Sequence, residues 1–171
     1  MRLTSCALWL FLLVASCGPA EWVEVRPEEA GFSIQMPAPP VERTQPVEIT
    51  GAPIELRMYV LRHGDFDYMV SFSDHAEETL AAKTLEQLLD GARDGVAASI
   101  RGEILDEDAI SIGNHPGRSV VLRDSTGELT LQIRILLVGR RLYQFGVVTP
   151  RGDRSSAAVT RFLDSFALLQ N

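Results

Sequence analysis

The sequence is poor in the residues that most often carry chemistry. Its 171 residues include two cysteines, three histidines and a single lysine, Lys83. A net charge of −7 excludes nucleic acid as the main partner, because phosphate binding requires a basic surface. No apolar run reaches the roughly 20 residues that a transmembrane helix needs. The composition, 46% hydrophobic and 23% charged, excludes a disordered chain and suffices for one domain with a real core.

The N-terminus has the three-part pattern of a secretory signal. Arg2 precedes an apolar run from Cys6 to Val14, and small residues follow that run. The segment Val14-Ala15-Ser16-Cys17 resembles the lipobox of bacterial lipoproteins. This resemblance implies that residues 1–16 are a signal peptide and that Cys17, acylated with diacylglycerol, becomes the first residue. The alternative is ordinary signal-peptidase cleavage, for example after Ala20, which would leave a secreted or soluble periplasmic protein.

The lipobox resemblance also implies a location. Gly18 stands where lipoproteins retained at the inner membrane often carry Asp, so we expect attachment to the periplasmic face of the outer membrane. Membrane lipid is then a partner through Cys17. Because Cys6 leaves with the signal peptide, the mature domain has no disulfide, no thiol nucleophile and no cysteine-based metal site. We assign residues 17–30 to a lipidated tether and residues 31–171 to one globular domain, expected to be monomeric.

Hydrophobic periodicity in residues 31–171 predicts an α+β domain. Residues 31–36, 54–61 and 68–72 alternate apolar and polar side chains as half-buried strands do, and the last two segments form a hairpin. Four prolines place a loop over 37–46. A three-to-four spacing predicts a helix over 77–100, capped by Asp74, with glycines that allow close packing on the sheet. Further strands are predicted over 102–105, 119–123, 129–138 and 142–148, and a short helix over 155–163.

The two ends of this domain resemble PsbP-like domains. The carrying segments are 31–37 (GFSIQMP), 141–148 (RLYQFGVV) and 161–166 (RFLDSF). The family includes the photosystem II extrinsic protein, DcrB-type bacterial lipoproteins and a Ran-binding import factor. The resemblance implies an antiparallel sheet of six to seven strands flanked by helices on both sides, an α/β/α sandwich. Its motifs are packing motifs, and no catalytic, metal-binding or cofactor-binding set carries over with them.

The sequence offers few candidates for catalysis. A hydrolase needs a nucleophile, a base and an orienting group, and neither a Gly-x-Ser-x-Gly elbow nor a glycine-rich phosphate loop is present. The three histidines all stand beside turn signals. A metal site would require the hairpin ends to meet and would use His63, Asp65, Asp67, Asp74 and His75. The acidic run 106–108 lacks the spacing of a calcium loop and is interpreted as a solvated turn, and the Arg-Gly-Asp sequence at 151–153 is interpreted as chance.

We therefore predict a non-catalytic binding or assembly module that contacts an unknown envelope protein. Contact residues are expected on loops that the sheet holds in place. The most distinctive loop is the predicted turn with Asn114, His115, Pro116, Gly117 and Arg118. The alternative is a metal-dependent or hydrolytic envelope enzyme that uses the histidines and aspartates beside the turns.

The lipobox gives a direct prediction. Replacing Cys17 with Ala removes the only acylation site of the mature chain, so incorporation of labelled palmitate should be lost and the protein released or mislocalised. Metabolic labelling followed by membrane fractionation measures both effects. Equal labelling of the variant and the parent would contradict the assignment.

Overall fold

The computed structural model describes residues 21–49, 52–151, 153 and 156–169. Cys17 and the predicted signal peptide lie outside these residues. Within the described part, thirteen elements follow one another along the chain: β1 Val23–Val25, β2 Phe32–Met36, β3 Val41–Ile49, β4 Ala52–His63, β5 Phe66–Asp74, α1 Glu77–Ala81, α2 Leu85–Ser99, β6 Glu103–Ile112, β7 His115–Arg123, β8 Leu129–Val138, β9 Arg141–Pro150, α3 Ala157–Asp164 and β10 Ala167–Leu168.

Seven of the strands form one antiparallel sheet in the order β3-β4-β5-β9-β8-β7-β6. A smaller sheet, in the order β1-β2-β10, packs on one face of it together with α3, while α2 packs on the other face. The two faces follow from strand alternation: Tyr143, Phe145 and Val147 of β9 belong to the first core, whereas Leu142 belongs to the second. The predicted α+β class, with a seven-stranded sheet flanked on both sides, is confirmed.

The face under the small sheet is closed by aromatic side chains. The Phe166 ring stacks on Phe145 with a centroid distance of 4.1 Å, and Phe32 and Phe162 have no exposed surface. The Ser165 hydroxyl accepts a hydrogen bond from the backbone N–H of Gln35 at 2.9 Å, which joins the end of α3 to β2. The segment 161–166 therefore contributes to packing, as the sequence predicted.

The Pro-rich segment departs from the prediction of a loop over 37–46. Residues from Val41 onward form β3, which pairs with β4 along its whole length. Pro46 lies opposite Glu55 in this pairing. β3 is an edge strand, so no neighbouring strand lies on its outer side. Proline has no N–H to donate, and it is tolerated in a strand at such an edge.

The predicted helix over 77–100 is two helices. Thr84 begins α2 with a capping box: its hydroxyl accepts from the Gln87 backbone N–H at 3.2 Å, and the Gln87 side chain accepts from the Thr84 N–H at 2.9 Å. This cap separates α2 from the short α1. Asp74 does not cap the helix, because its carboxylate accepts two hydrogen bonds from Arg141, at 2.7 and 2.6 Å.

Residues 23–30, interpreted from the sequence as the end of a tether, dock on the domain. β1 pairs with β2, and Val25 and Ala30 are buried in the aromatic core. The Tyr143 hydroxyl donates a hydrogen bond to the Ala30 carbonyl at 2.8 Å. The packed part of the chain therefore includes residues ahead of residue 31.

Truncating two adjacent leucines of α2 should have unequal effects. Leu89 is 1% exposed and Leu88 is only half-buried. Leu89→Ala should cost roughly 2–5 kcal/mol of unfolding free energy, and Leu88→Ala clearly less, since a half-buried site leaves a smaller cavity. Urea unfolding of the two variants measures the difference, and equal losses would contradict this packing of α2.

Candidate functional site

Helix α2 lies over one half of the large sheet. Leu89 is its one fully buried residue, and it packs in a cluster with apolar side chains of β7 and β8. These neighbours are Val120, Leu122, Leu131, Ile133 and Ile135. Strands β3, β4 and β5, at the other end of the sheet, have no helix of similar length over them in the described part of the chain.

An ion-pair network fixes α2 at this position. The Glu107 carboxylate on β6 accepts hydrogen bonds from Arg93 of α2 at 2.9 and 3.1 Å and lies 3.0 Å from the Arg118 guanidinium of β7. Arg118 also pairs with Glu86 and with Asp90 on α2. Through these pairs the charged face of α2 holds the helix against the β6–β7 hairpin. Because these arginines are largely covered, the network is less screened than an open surface pair.

The uncovered half of the sheet forms an open groove beside α2, which we call the α2 groove. Seven strands about 4.8 Å apart make a sheet roughly 30 Å wide, whereas one helix covers only about 10 Å. The groove has a volume of about 1200 Å³. Its apolar floor comes from Leu56, Met58 and Val60 of β4 and Met69 of β5, and its apolar wall from Leu88, Ala92 and Val96 of α2.

Two glycines of α2 also line this groove. Gly91 and Gly95 are one helical turn apart, and a Cβ added at either would meet no described atom outside its own helical turn within 4 Å. The expectation that these glycines allow close packing on the sheet is therefore wrong. A glycine inside a helix costs about 1 kcal/mol relative to alanine. The described chain gains no internal contact in return for that cost.

A polar strip crosses the floor between the apolar residues of β4 and those under α2. Ser71 and Ser73 of β5 are buried, Gln144 of β9 is half-buried, and all three line the groove. The Ser71 hydroxyl donates to the Gln144 carbonyl at 3.3 Å. Polar side chains in a largely apolar groove set the orientation of whatever binds there.

His75 closes one end of the polar strip. It is 6% exposed, and its Nε2 atom has no hydrogen-bond partner among the described residues. The backbone on either side is fixed, since the His75 N–H donates to the Arg140 carbonyl at 2.9 Å and Arg140 Nε donates to the His75 carbonyl at 3.1 Å. Burial lowers the pKa of His75, with Asp74 opposing this shift and Lys83 adding to it. The imidazole is therefore neutral at pH 7.

The rim of the α2 groove is more basic than the chain as a whole. Arg62 and Asp67 pair with each other at 3.2 Å. Arg43 on β3 and Lys83 before α2 are exposed and have no ion-pair partner in the described part of the chain. Glu48 is the other carboxylate of the rim. In a chain of net charge −7, this places two free cations around an apolar surface.

The predicted contact loop is divided between a turn and a strand. Gly113 and Asn114 form the turn, and β7 begins at His115, so Pro116, Gly117 and Arg118 are strand residues rather than turn residues. Arg118 belongs to the ion network under α2. Asn114 and His115 line a second cleft with Arg140, next to the Arg141–Asp74 ion pair.

The proposed metal ligands are not brought together. His63, Asp65 and Asp67 lie at one end of the β4–β5 hairpin, and Asp74 and His75 lie at the opposite end of β5. Among the residues that the structure describes, no group of three or more His, Cys, Asp or Glu side chains could hold a metal ion.

Two further sequence motifs remain, the acidic run 106–108 and the Arg-Gly-Asp sequence at 151–153. Residues 106–108 lie in the edge strand β6 and not in a turn, and the middle one, Glu107, holds two arginines. In the Arg-Gly-Asp sequence Arg151 and Asp153 are exposed, and Gly152 lies outside the described residues. No helix in the described ranges is long and apolar enough to cross a membrane.

The groove residues of β4 were predicted as a strand face but not as a site. Alternation identifies Leu56, Met58 and Val60 as one apolar face, and it says nothing about what covers that face. The signal that could have pointed to the site is the pair of glycines in a helix, which carries a stability cost without a sequence-level reason.

Protonation of His75 should make the fold sensitive to acid. Its folded pKa lies below its unfolded value, so below about pH 6.5 the unfolded chain binds more protons and stability falls as pH is lowered. We expect His75→Gln to reduce this loss between about pH 6.5 and 5. His63→Gln, at the exposed end of β4, is the matched control and should retain the loss. Thermal unfolding across this range measures the effect, and an unchanged profile in the His75 variant would contradict the assignment.

No protein-family model matches the sequence, and no curated protein matches it. Solved structures do match. The solution structure of cyanobacterial PsbP (CyanoP) from Synechocystis sp. PCC 6803 is similar with a TM-score of 0.60 and 16% identity, over 97% of this chain and 98% of that chain. A protein of unknown function from Pseudomonas aeruginosa, PA94, matches with a TM-score of 0.41 and 13% identity, over 64% of this chain and 85% of that chain.

The CyanoP similarity extends over nearly the whole of both chains. At this level of identity the similarity concerns the fold. The chain therefore has a PsbP-like fold.

Proposed function

We propose that this protein is a lipid-anchored module of the bacterial cell envelope that acts by binding an envelope protein, without catalysis. The observation that carries the proposal is the α2 groove. It joins an uncovered apolar sheet face to a polar strip and to two exposed cations, Arg43 and Lys83. Large apolar surfaces that a soluble domain leaves open are typical of interaction sites.

The chemistry of the groove favours binding over turnover. Its titratable groups are spread along its length, and His75 is a buried imidazole whose backbone is held by Arg140. The two serines of the floor, Ser71 and Ser73, lie on the same strand, and the Ser71 hydroxyl donates a hydrogen bond to the backbone carbonyl of Gln144. A serine nucleophile instead needs a base positioned to take that proton.

The proposed anchor supports a role close to the membrane. Cys17 is six residues ahead of Val23, where β1 starts. Six residues span at most about 20 Å, so acylation at Cys17 holds the small-sheet side of the domain near the bilayer. The α2 groove lies on the opposite face of the seven-stranded sheet and remains accessible to a partner. The turn at Asn114 and His115, beside the second cleft, is a further contact surface in this proposal.

Crosslinking in living cells tests the proposal. p-Benzoylphenylalanine placed at position 58 of the full chain, in place of the groove residue Met58, should form a discrete adduct with an envelope protein. The same probe in place of Ala157, which is exposed on α3 on the opposite face of the sheet and does not line the groove, is the matched control. Cys17→Ala should reduce the adduct by releasing the domain from the membrane. Equal adducts from positions 58 and 157, or none from either, would overturn the proposal.

A further inference from the structure

The α2 groove contains a space that no described side chain fills. Gly91 and Gly95 face this space, and Ser99 continues the same row of small residues one turn later. Because a Cβ at either glycine would meet no described atom outside its own helical turn within 4 Å, alanine fits at both positions among the described residues. Small residues at four-residue spacing allow another backbone to approach a helix closely.

A second observation in the same groove also indicates a missing partner. His75 is more than nine-tenths buried, and its Nε2 atom has no hydrogen-bond partner among the described residues. A buried polar atom without a partner carries a desolvation penalty that a bound group can remove. Lys83 lines the same groove as His75 and has no ion-pair partner among the described residues.

The dimensions of the groove fit one helix. The strip of sheet between α2 and the edge strand β3 is about three strand spacings wide, or roughly 14 Å, and a helix with side chains is about 10–12 Å across. Such a helix would contact the apolar row of Leu56, Met58 and Val60 below it and the small-residue face of α2 beside it.

We propose that the α2 groove receives an amphipathic α-helix of another polypeptide, laid alongside α2 on strands β4 and β5. The helix places its apolar face on Met58 and Met69, crosses α2 at Gly91 and Gly95, and carries an acidic side chain at the end near Lys83 and His75. This inference rests on the proposed function and names the chemistry of the partner.

A helix fits these features better than an acyl chain does. An acyl chain needs a continuous apolar wall, whereas the floor is interrupted by Ser71, Ser73 and Gln144. The exposed cations Arg43 and Lys83 lie on different elements of the rim, which suits a polypeptide with several polar contacts better than a lipid with one headgroup. In the anchored protein the groove also lies on the sheet face opposite β1, away from the attachment point.

The test uses the full chain and a displayed library of 24-residue peptides that tile every exported protein of the source organism. Enriched peptides should share an amphipathic helical pattern with an acidic end, and synthetic copies should become helical on binding, as circular dichroism measures. Gly91→Leu and Gly95→Leu fill the space and should weaken binding at least about tenfold in calorimetry, a loss of one well-packed contact. Ala157→Leu, at an exposed position of α3 on the opposite face of the sheet, should leave the affinity unchanged.

Two further measurements separate the outcomes. The double variant Gly91→Ala/Gly95→Ala should raise the thermal midpoint, since alanine favours the helix, and at the same time weaken peptide binding. A dansylated undecanoic acid serves as the acyl-chain probe. If it binds with the same sensitivity to Gly95→Leu and no helical peptide is enriched, the helix proposal fails and the groove remains a binding site. If neither probe responds to Gly95→Leu, the helix proposal and the proposed function of the groove both fail.

Discussion

The placement of α2 to one side of the sheet determines the rest of the molecule's surface. Leu89 fixes it from below by packing with β7 and β8, and Glu107 fixes it from the side through Arg93 and Arg118. These two attachments act at the same half of a seven-stranded sheet. A single helix of about 10 Å cannot cover the remaining strands, so the groove follows from the position of α2.

The opposite face of the seven-stranded sheet is fully covered. There β2, β10 and α3 cover the sheet with tightly packed rings, and Phe32, Phe145 and Phe162 have no exposed surface. One face is thus completed by the chain itself and the other is left half open. An uncovered apolar surface costs free energy in water, and two helix-destabilising glycines lie beside it, so this is the face on which we propose that a partner binds.

Sequence reasoning predicts the elements better than their arrangement. Alternation locates β2, β8 and the β4–β5 hairpin, and the aromatic ending at 161–166 correctly indicates core packing. The strand β3 was missed because Pro46 favours a loop, and a proline is compatible with a strand only when that strand is known to lie at an edge of the sheet. The break between α1 and α2 could have been predicted, since Thr84 and Gln87 have the spacing of a capping box.

The α2 groove could not have been predicted from a local sequence pattern. Whether Leu56, Met58 and Val60 are covered depends on where α2 lies, and that depends on ion pairs between residues far apart in sequence, such as Arg118 with Glu86. No periodicity encodes such pairs. The same holds for His75, where a turn signal suggests exposure and the fold gives burial.

Methionine NMR tests most directly whether half of the α2 face is open. Met58 and Met69 line the groove, whereas Met36 lies in the aromatic core with no exposed surface, so one labelled sample contains both the test and its control. With a soluble paramagnetic agent, the methyl signals of Met58 and Met69 should broaden strongly and that of Met36 should not. Equal protection of all three methyl groups would show that the groove is closed and would contradict the account.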